Sequence, residues 1–279
     1  MDDLEQLAEL LTTARLGRAH EHHASVASTN DRALEWLAGG APDGALVTAE
    51  QQSAGRGRLG RSWSSPAGKD LYASVILRPG VPAQSFGALA LAVGVGVREG
   101  LLAAFGGEAV WRERGWPALE LKWPNDVLLG GRKLAGILCE SRWRGREVEV
   151  VIGFGINVHR SLDEFDPSLH ARATSLAIAV PERRGRAAIL AAVLANLERE
   201  LERFFADGFA GVRPRYEPHC LVIGRAIEVE QPSGERMAAI AEGLEPDGAL
   251  RVRPCDGGPS VRVESADVWL LSPPAAALV

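Results

Sequence analysis

The sequence predicts an α+β protein: a large region in which helices pack on a mixed β-sheet, followed by a small β-barrel. Three observations carry this. Residues 86–105 and 185–206 have the apolar spacing of helices, and the second keeps Leu190, Val193, Leu194, Leu197, Leu201 and Phe204 on one face. Between them, residues 118–159 alternate short β-rich runs with the turn signals Pro124-Asn125-Asp126, Gly130-Gly131 and Arg144-Gly145, the pattern of an antiparallel meander. From about Leu221, short strands are punctuated by QPSGE, EPDG and CDGGPS with no helical period, as in a small barrel. The segment YEPHC marks the junction and divides the chain into residues 1–220 and 221–279.

Along the chain, a short amphipathic segment comes first. In ASVASTNDRALEWLAGG, capping residues precede a helical stretch that ends at Gly39-Gly40, so Ser28, Thr29 and Asn30 sit at a strand-to-helix junction. GALVTAEQ and DLYASVILRP read as strands entering and leaving AGRGRLGRSW, which is therefore a loop. GGEAVWRERGWPALE is longer than a plain connection requires, and its two tryptophans point to a surface flap or a contact.

Composition narrows the function. The 279 residues are 46% hydrophobic, enough for a sizeable core, and the formal net charge of -5 argues against bulk nucleic-acid binding. Cys139, Cys220 and Cys255 are odd in number and far apart, which fits a reducing cytoplasm better than a disulfide framework or a zinc site. The acidic N-terminus lacks the features of a signal peptide, and ALALAVGVGV is too short to span a bilayer, so no membrane association is expected. The histidines of HEHH (His20, His22 and His23) match no metal-site spacing and read as surface or core residues.

Gly55, Gly57 and Gly60 spell the G-x-G-x-x-G of a dinucleotide-binding turn. That motif also needs a helix opening at its third glycine and an acidic residue about twenty positions on. Here Ser64-Ser65-Pro66 and Gly68 follow, and the later window PGVPAQSFG has no carboxylate, so the Rossmann reading fails. The loop instead carries Arg56, Arg58 and Arg61, whose guanidinium groups suit the enclosure of a phosphate or carboxylate.

GRGRLGRSW together with STN, KWPND and RKLAGIL, in this order, resembles the biotin protein ligase family; GINVH and HCLVIGR extend the resemblance from about Ser28 to the end of the chain. The resemblance implies the fold shared with class II aminoacyl-tRNA synthetases and lipoate ligases, followed by an SH3-like barrel. It implies a reaction in which biotin and ATP with Mg²⁺ give biotinyl-5′-AMP, which then acylates one lysine of a biotin carboxyl carrier domain. It places Ser28, Thr29, Asn30, Gln52, Gly55, Arg56, Gly57, Arg58, Lys133 and Gly136 at biotin, and Arg58, Arg61, Trp63, Lys122, Asn125, Asp126 and Asn157 at ATP or the adenylate. Lys133, Arg58 and Asp126 are the expected catalytic residues, with no resident metal, Mg²⁺ being carried mainly by the ATP phosphates.

Physical reasons accompany these roles. A carboxylate attacking an α-phosphate brings two anions together, so positive charge is needed. A buried ureido ring needs polar partners. A free lysine, with a pKa of about 10.4, needs a group to orient it or take its proton, which is the second role for Asp126. Trp63 is read either as a cover over the pocket or as plain core. Regular alternation from Lys133 puts Gly136 on the opposite face of its strand, so Gly136 is assigned through the resemblance alone.

Family members that also repress transcription carry an N-terminal helix-turn-helix domain; here about twenty residues precede the catalytic domain, and we expect a ligase without DNA binding. A homodimer is compatible with the sequence. Two alternatives share the fold or the site. A lipoate or octanoate ligase is disfavoured by the complete GRGRLGR loop, and a non-catalytic biotin or nucleotide sensor by the presence of Lys133 and all three arginines.

Overall fold

Seven strands form the central sheet of the computed structural model, which describes residues 4–79, 86–144 and 147–271. They are β1 (His20–His23), β2 (Leu46–Ala49), β3 (Leu71–Leu77), β4 (Leu119–Lys122), β5 (Asp126–Leu129), β6 (Arg132–Arg144) and β7 (Glu147–Ile156), in the spatial order β1-β2-β3-β7-β6-β5-β4. β1 runs parallel to β2 and the other neighbours are antiparallel, so the expected mixed sheet and the β4–β7 meander are both present. Gly130 and Gly131 join β5 to β6 with φ of +58° and +73°, the left-handed pair that a two-residue hairpin turn requires. Gly145 of the expected third turn lies outside the described residues.

The helices are α1 (Leu7–Leu10), α2 (Thr29–Ala38), α3 (Leu89–Ala104), α4 (Glu108–Glu113), α5 (Leu176–Ala179), α6 (Arg186–Asp207) and α7 (Phe209–Tyr216). α3 and α6 are the two long helices read from the sequence. They approach so closely that a Cβ on Gly100 would lie 2.4 Å from the Cα of Val193, and one on Gly96 2.8 Å from the Cα of Leu197. The N-terminal segment buries Leu4 and Leu7, and the α6 carboxylate of Glu198 accepts hydrogen bonds from the backbone N–H groups of Ala14, Arg15 and Leu16 at 2.7–2.8 Å.

β8 (Ala226–Glu230), β9 (Arg236–Leu244), β10 (Leu250–Pro254), β11 (Val261–Val263) and β12 (Asp267–Leu270) make a second, antiparallel sheet in the order β11-β10-β9-β8-β12. This is the small barrel-like unit expected after Leu221. The Trp123 indole N–H donates to the carbonyl of Gly248 at 3.0 Å, and one apolar core runs through both sheets.

The 106–120 segment makes a contact and forms no surface flap. Phe105, Trp111 and Trp116 meet edge to face with centroids 5.0–5.6 Å apart, and Trp111 is buried. HEHH is β1 itself, with His20 and His22 both hydrogen-bonded to the Thr48 hydroxyl. Burial, with His22 and His23 nearby, lowers the His20 pKa to about 4. Among the described residues no helix is long and apolar enough to cross a membrane.

Candidate functional site

The glycine-arginine stretch leaves β2 and returns to β3 as a folded loop, and no helix opens after Gly60. Gly57 N–H donates to Arg61 C=O at 2.7 Å and Trp63 N–H to Gly55 C=O at 2.8 Å, closing a small hairpin. Leu59 and Gly60 turn its tip through the left-handed region, with φ of +54° and +72°. Leu59 is the only non-glycine residue of positive φ among those described, a conformation costly for a side chain with a Cβ.

Each loop arginine has a different environment. Arg56 pairs with Asp31 and Glu140, at 2.6 and 2.8 Å. Arg61 makes a two-pronged ion pair with Asp267. The hydrogen-bond partners of Arg58 are both neutral, Asn125 Oδ1 at 3.4 Å and Ser265 Oγ at 2.7 Å. Burial lowers the Arg58 pKa, against the pull of Asp267 and Asp126, and Arg61 lowers it further. Its charge is the one least compensated by a carboxylate, which makes Arg58 the loop residue best prepared for an anion.

The start of β6 corrects the alternation argument. Val127 pairs with Ala135 but Leu128 pairs with Lys133, so Leu134 is an extra residue, a β-bulge. The bulge restores phase: Lys133 and Gly136 share a face with Asp126, while Leu134 and Ala135 are buried. Lys133 Nζ lies 2.7 Å from Asp126 Oδ1, and a Cβ on Gly136 would lie 3.3 Å from Nζ. Gly136 therefore lies on the face of Lys133, not on the opposite one that regular alternation gives.

Two cavities meet at this point. The first, about 140 Å³, is lined by most of the residues expected at biotin: Ser28, Thr29, Asn30, Gln52, Arg56, Gly57, Arg58, Lys133 and Gly136. The second, about 450 Å³, reaches Asn157, Arg160 and Phe165. Arg61, Trp63, Lys122, Asp126 and Lys133 border both. Asn125 faces the first only. Gly55 lines neither cavity; a Cβ there would sit 2.5 Å from the Trp63 carbonyl, so it belongs to the base of the loop.

The indole of Trp63 lies on two glycines that face each other across β6 and β7, Gly136 and Gly155. A Cβ on Gly155 would come within 2.6 Å of the indole nitrogen. That nitrogen is buried with no hydrogen-bond partner, and Lys133 Nζ stands 5.4 Å from the ring centre. Trp63 is thus part of the cavity wall between the two spaces, as a cover would be. Lys122 is also in this wall; burial lowers its pKa, Lys133 adds to the shift and Asp126 opposes it.

At the far end of the first cavity, Ser28, Thr29 and Asn30 are buried. Ser28 makes no side-chain capping bond, so a helix cap does not account for the trio. Gln52 Oε1 accepts from Thr29 N–H at 2.8 Å and Gln52 Nε2 donates to Ser65 Oγ at 2.8 Å. Ser74 Oγ donates to Asn30 Oδ1 at 2.6 Å, and Asn30 Nδ2 donates to Glu140 at 2.7 Å. Such a fixed polar network suits a small polar ring.

Sequence reasoning missed several lining residues. Asp267 and Trp269 come from β12, so the second sheet walls the first cavity. Arg160, two residues beyond Val158 of the GINVH motif, is buried in an ion pair with Asp70 and also donates to the Ser64 carbonyl, fixing the exit of the arginine loop. Nothing local marks Asp267; only the alternation of β12, with Val268 in the core, turns Asp267 and Trp269 the other way.

Similarity to known proteins places the chain among the ligases of the biotin and lipoate type. Residues 23–157 match the Biotin/lipoate A/B protein ligase family. The chain is 37% identical over 256 residues to a biotin--[acetyl-CoA-carboxylase] ligase of Mycobacterium tuberculosis, covering 88% of this chain and 86% of that one. It is 33% identical over 261 residues to the bifunctional ligase/repressor BirA of Bacillus subtilis, covering 93% and 76%. Its structure resembles the biotin protein ligase of Aquifex aeolicus in complex with biotin and ATP, with a TM-score of 0.74, 25% identity, and 91% and 99% of the two chains covered. The chain belongs to the biotin protein ligase family.

Proposed function

We propose that the protein activates biotin with ATP and transfers the biotinyl group to a lysine of a biotin carboxyl carrier domain. The observation that carries this reading is the shared wall: one cavity ends in a polar network, the other extends to Asn157 and Arg160, and Lys133, Asp126 and Lys122 stand between them. Biotin occupies the first cavity with its ureido ring toward Ser28, Thr29, Asn30 and Gln52, and ATP the second. A biotin carboxylate oxygen attacks the α-phosphorus and pyrophosphate leaves. Lys133, Arg58 and Lys122 offset the negative charge that gathers as the two anions meet.

In the second step the carrier lysine, as free amine, attacks the acyl carbon and AMP leaves with the bonding electrons. Asp126 orients the incoming ammonium and takes its proton. Its carboxylate is 14% exposed and already ion-paired with one ammonium, that of Lys133, at 2.7 Å. Mg²⁺ enters with the ATP phosphates. Residues 1–220 form the catalytic region and 221–279 a smaller unit that contributes the β12 wall. The odd number and wide spacing of Cys139, Cys220 and Cys255 fit work in a reducing cytoplasm.

ATP-pyrophosphate exchange with biotin, lipoate or octanoate as the acid tests this. Exchange with biotin alone is expected; exchange with octanoate or lipoate moves the protein to the lipoyl branch, and none with any acid leaves a sensor.

A further inference from the structure

The arginine loop is not free-standing. Its last two arginines end on the short segment that leads from β11 into β12: Arg58 Nη2 donates to Ser265 Oγ at 2.7 Å, and both terminal nitrogens of Arg61 engage the Asp267 carboxylate. The left-handed pair Leu59 and Gly60 turns the tip between them, so that two guanidinium groups three residues apart reach the same segment. A non-glycine residue held in that region indicates a conformation fixed from outside the loop.

Asp267 is not a bystander at the surface. It is 17% exposed, it lines the first cavity, and Arg58 and Lys122 both feel its charge. Arg61 is 58% exposed, and an ion pair with so solvated a partner is weak and exchangeable. A phosphate chain brings more charge than one carboxylate and accepts the same two-pronged bond from Arg61.

We propose that Ser265 and Asp267 form a two-point latch on the arginine loop, with Asp267 acting as an internal anion that a substrate phosphate displaces from Arg61. This rests on the ligase reading for the identity of the displacing group. Asp267 is then a positioning residue: it holds Arg61 facing the cavity in the free protein and yields it on nucleotide binding. Loop order and phosphate capture are thereby set by the second sheet.

The test uses the full chain without biotin, ATP or turnover. Trypsin cuts after arginine, so the rate of cleavage at Arg58 and Arg61, mapped by mass spectrometry, reports release of the loop. D267N is expected to raise that rate at least threefold with an unchanged melting temperature, and D267E to restore it. Calorimetric titration with inorganic pyrophosphate alone is expected to show at least threefold tighter binding to D267N, because the competing carboxylate is gone. Unchanged cleavage overturns the latch, and unchanged or weaker pyrophosphate binding overturns the exchange. If D267N does not fold, S265A and wild-type cleavage between 0.05 and 0.5 M salt take its place: cleavage must rise in both, since an exposed ion pair is screened. Loss of biotin-dependent exchange in the wild type would remove the ligase reading and leave both readouts standing.

Discussion

Replacing Lys133 by alanine removes the positive charge nearest the junction of the two cavities. The structure sets the expected size. Nζ already holds a carboxylate oxygen at 2.7 Å, which marks where it holds an anion. Two unit charges about 4 Å apart interact by ~4 kcal/mol at an effective dielectric of about 20. Deleting one positioned group that meets developing charge costs about 2.7–4 kcal/mol elsewhere, or 10²–10³ in rate. The fold should tolerate the change, since Lys133 is 35% exposed and a partly solvated pair contributes at most ~1 kcal/mol. The assay is biotin-dependent ATP-pyrophosphate exchange beside a thermal melt, with Lys133→Arg as the variant that keeps the charge. A Lys133→Ala protein retaining more than about a tenth of the wild-type rate, a loss under ~1.4 kcal/mol, would refute the assignment.

If Arg58 retains the adenylate, Arg58→Gly should release biotinyl-5′-AMP and label lysines of a bystander protein such as serum albumin; labelling at the wild-type level counts against that role. Gly100→Ala places a Cβ 2.4 Å from the Val193 backbone, forces α3 and α6 apart, and should lower stability by about 1–3 kcal/mol or more in urea unfolding; an unchanged midpoint would contradict the packing. Burial raises the Glu198 pKa, but three backbone N–H donors outweigh it and the carboxyl sits below its usual value. Its stabilisation is therefore present above the unfolded pKa of about 4.3 and lost as pH falls through the lower folded value. Glu198→Gln should thus cost about 1–3 kcal/mol at pH 7 and progressively less in acid, and a gap of equal size at pH 3 would disprove it.

What could be read from the sequence was whatever depends on neighbours along the chain. The two long helices, the meander and the turn glycines are local patterns, and the loop arginines announce themselves by type and spacing. Lys133 and Asp126 could be singled out but not joined, because their contact depends on a bulge that hydrophobic alternation does not reveal: Leu134 and Ala135 are both apolar, so the run reads equally well with or without an extra residue. The fate of each arginine was also hidden. Arg56, Arg58 and Arg61 look equivalent in sequence, and only tertiary partners from α2, β6 and the second sheet separate them. Trp111 and Trp116 were ambiguous for the same reason, since three rings packing edge to face leave no periodic trace.

The bulge at Leu134 makes this site depend on a backbone irregularity as well as on residue identity. Removing Leu134 would give a regular ladder in which Lys133 and Gly136, then two residues apart, still share the cavity face. With Leu134 kept and the bulge pulled straight, however, Lys133 would point into the apolar layer behind the sheet while Gly136 still faced the cavity. The bulge itself therefore decides where the Lys133 charge stands, and a change that straightens the backbone here should be far more damaging than a conservative substitution of Leu134 that keeps it.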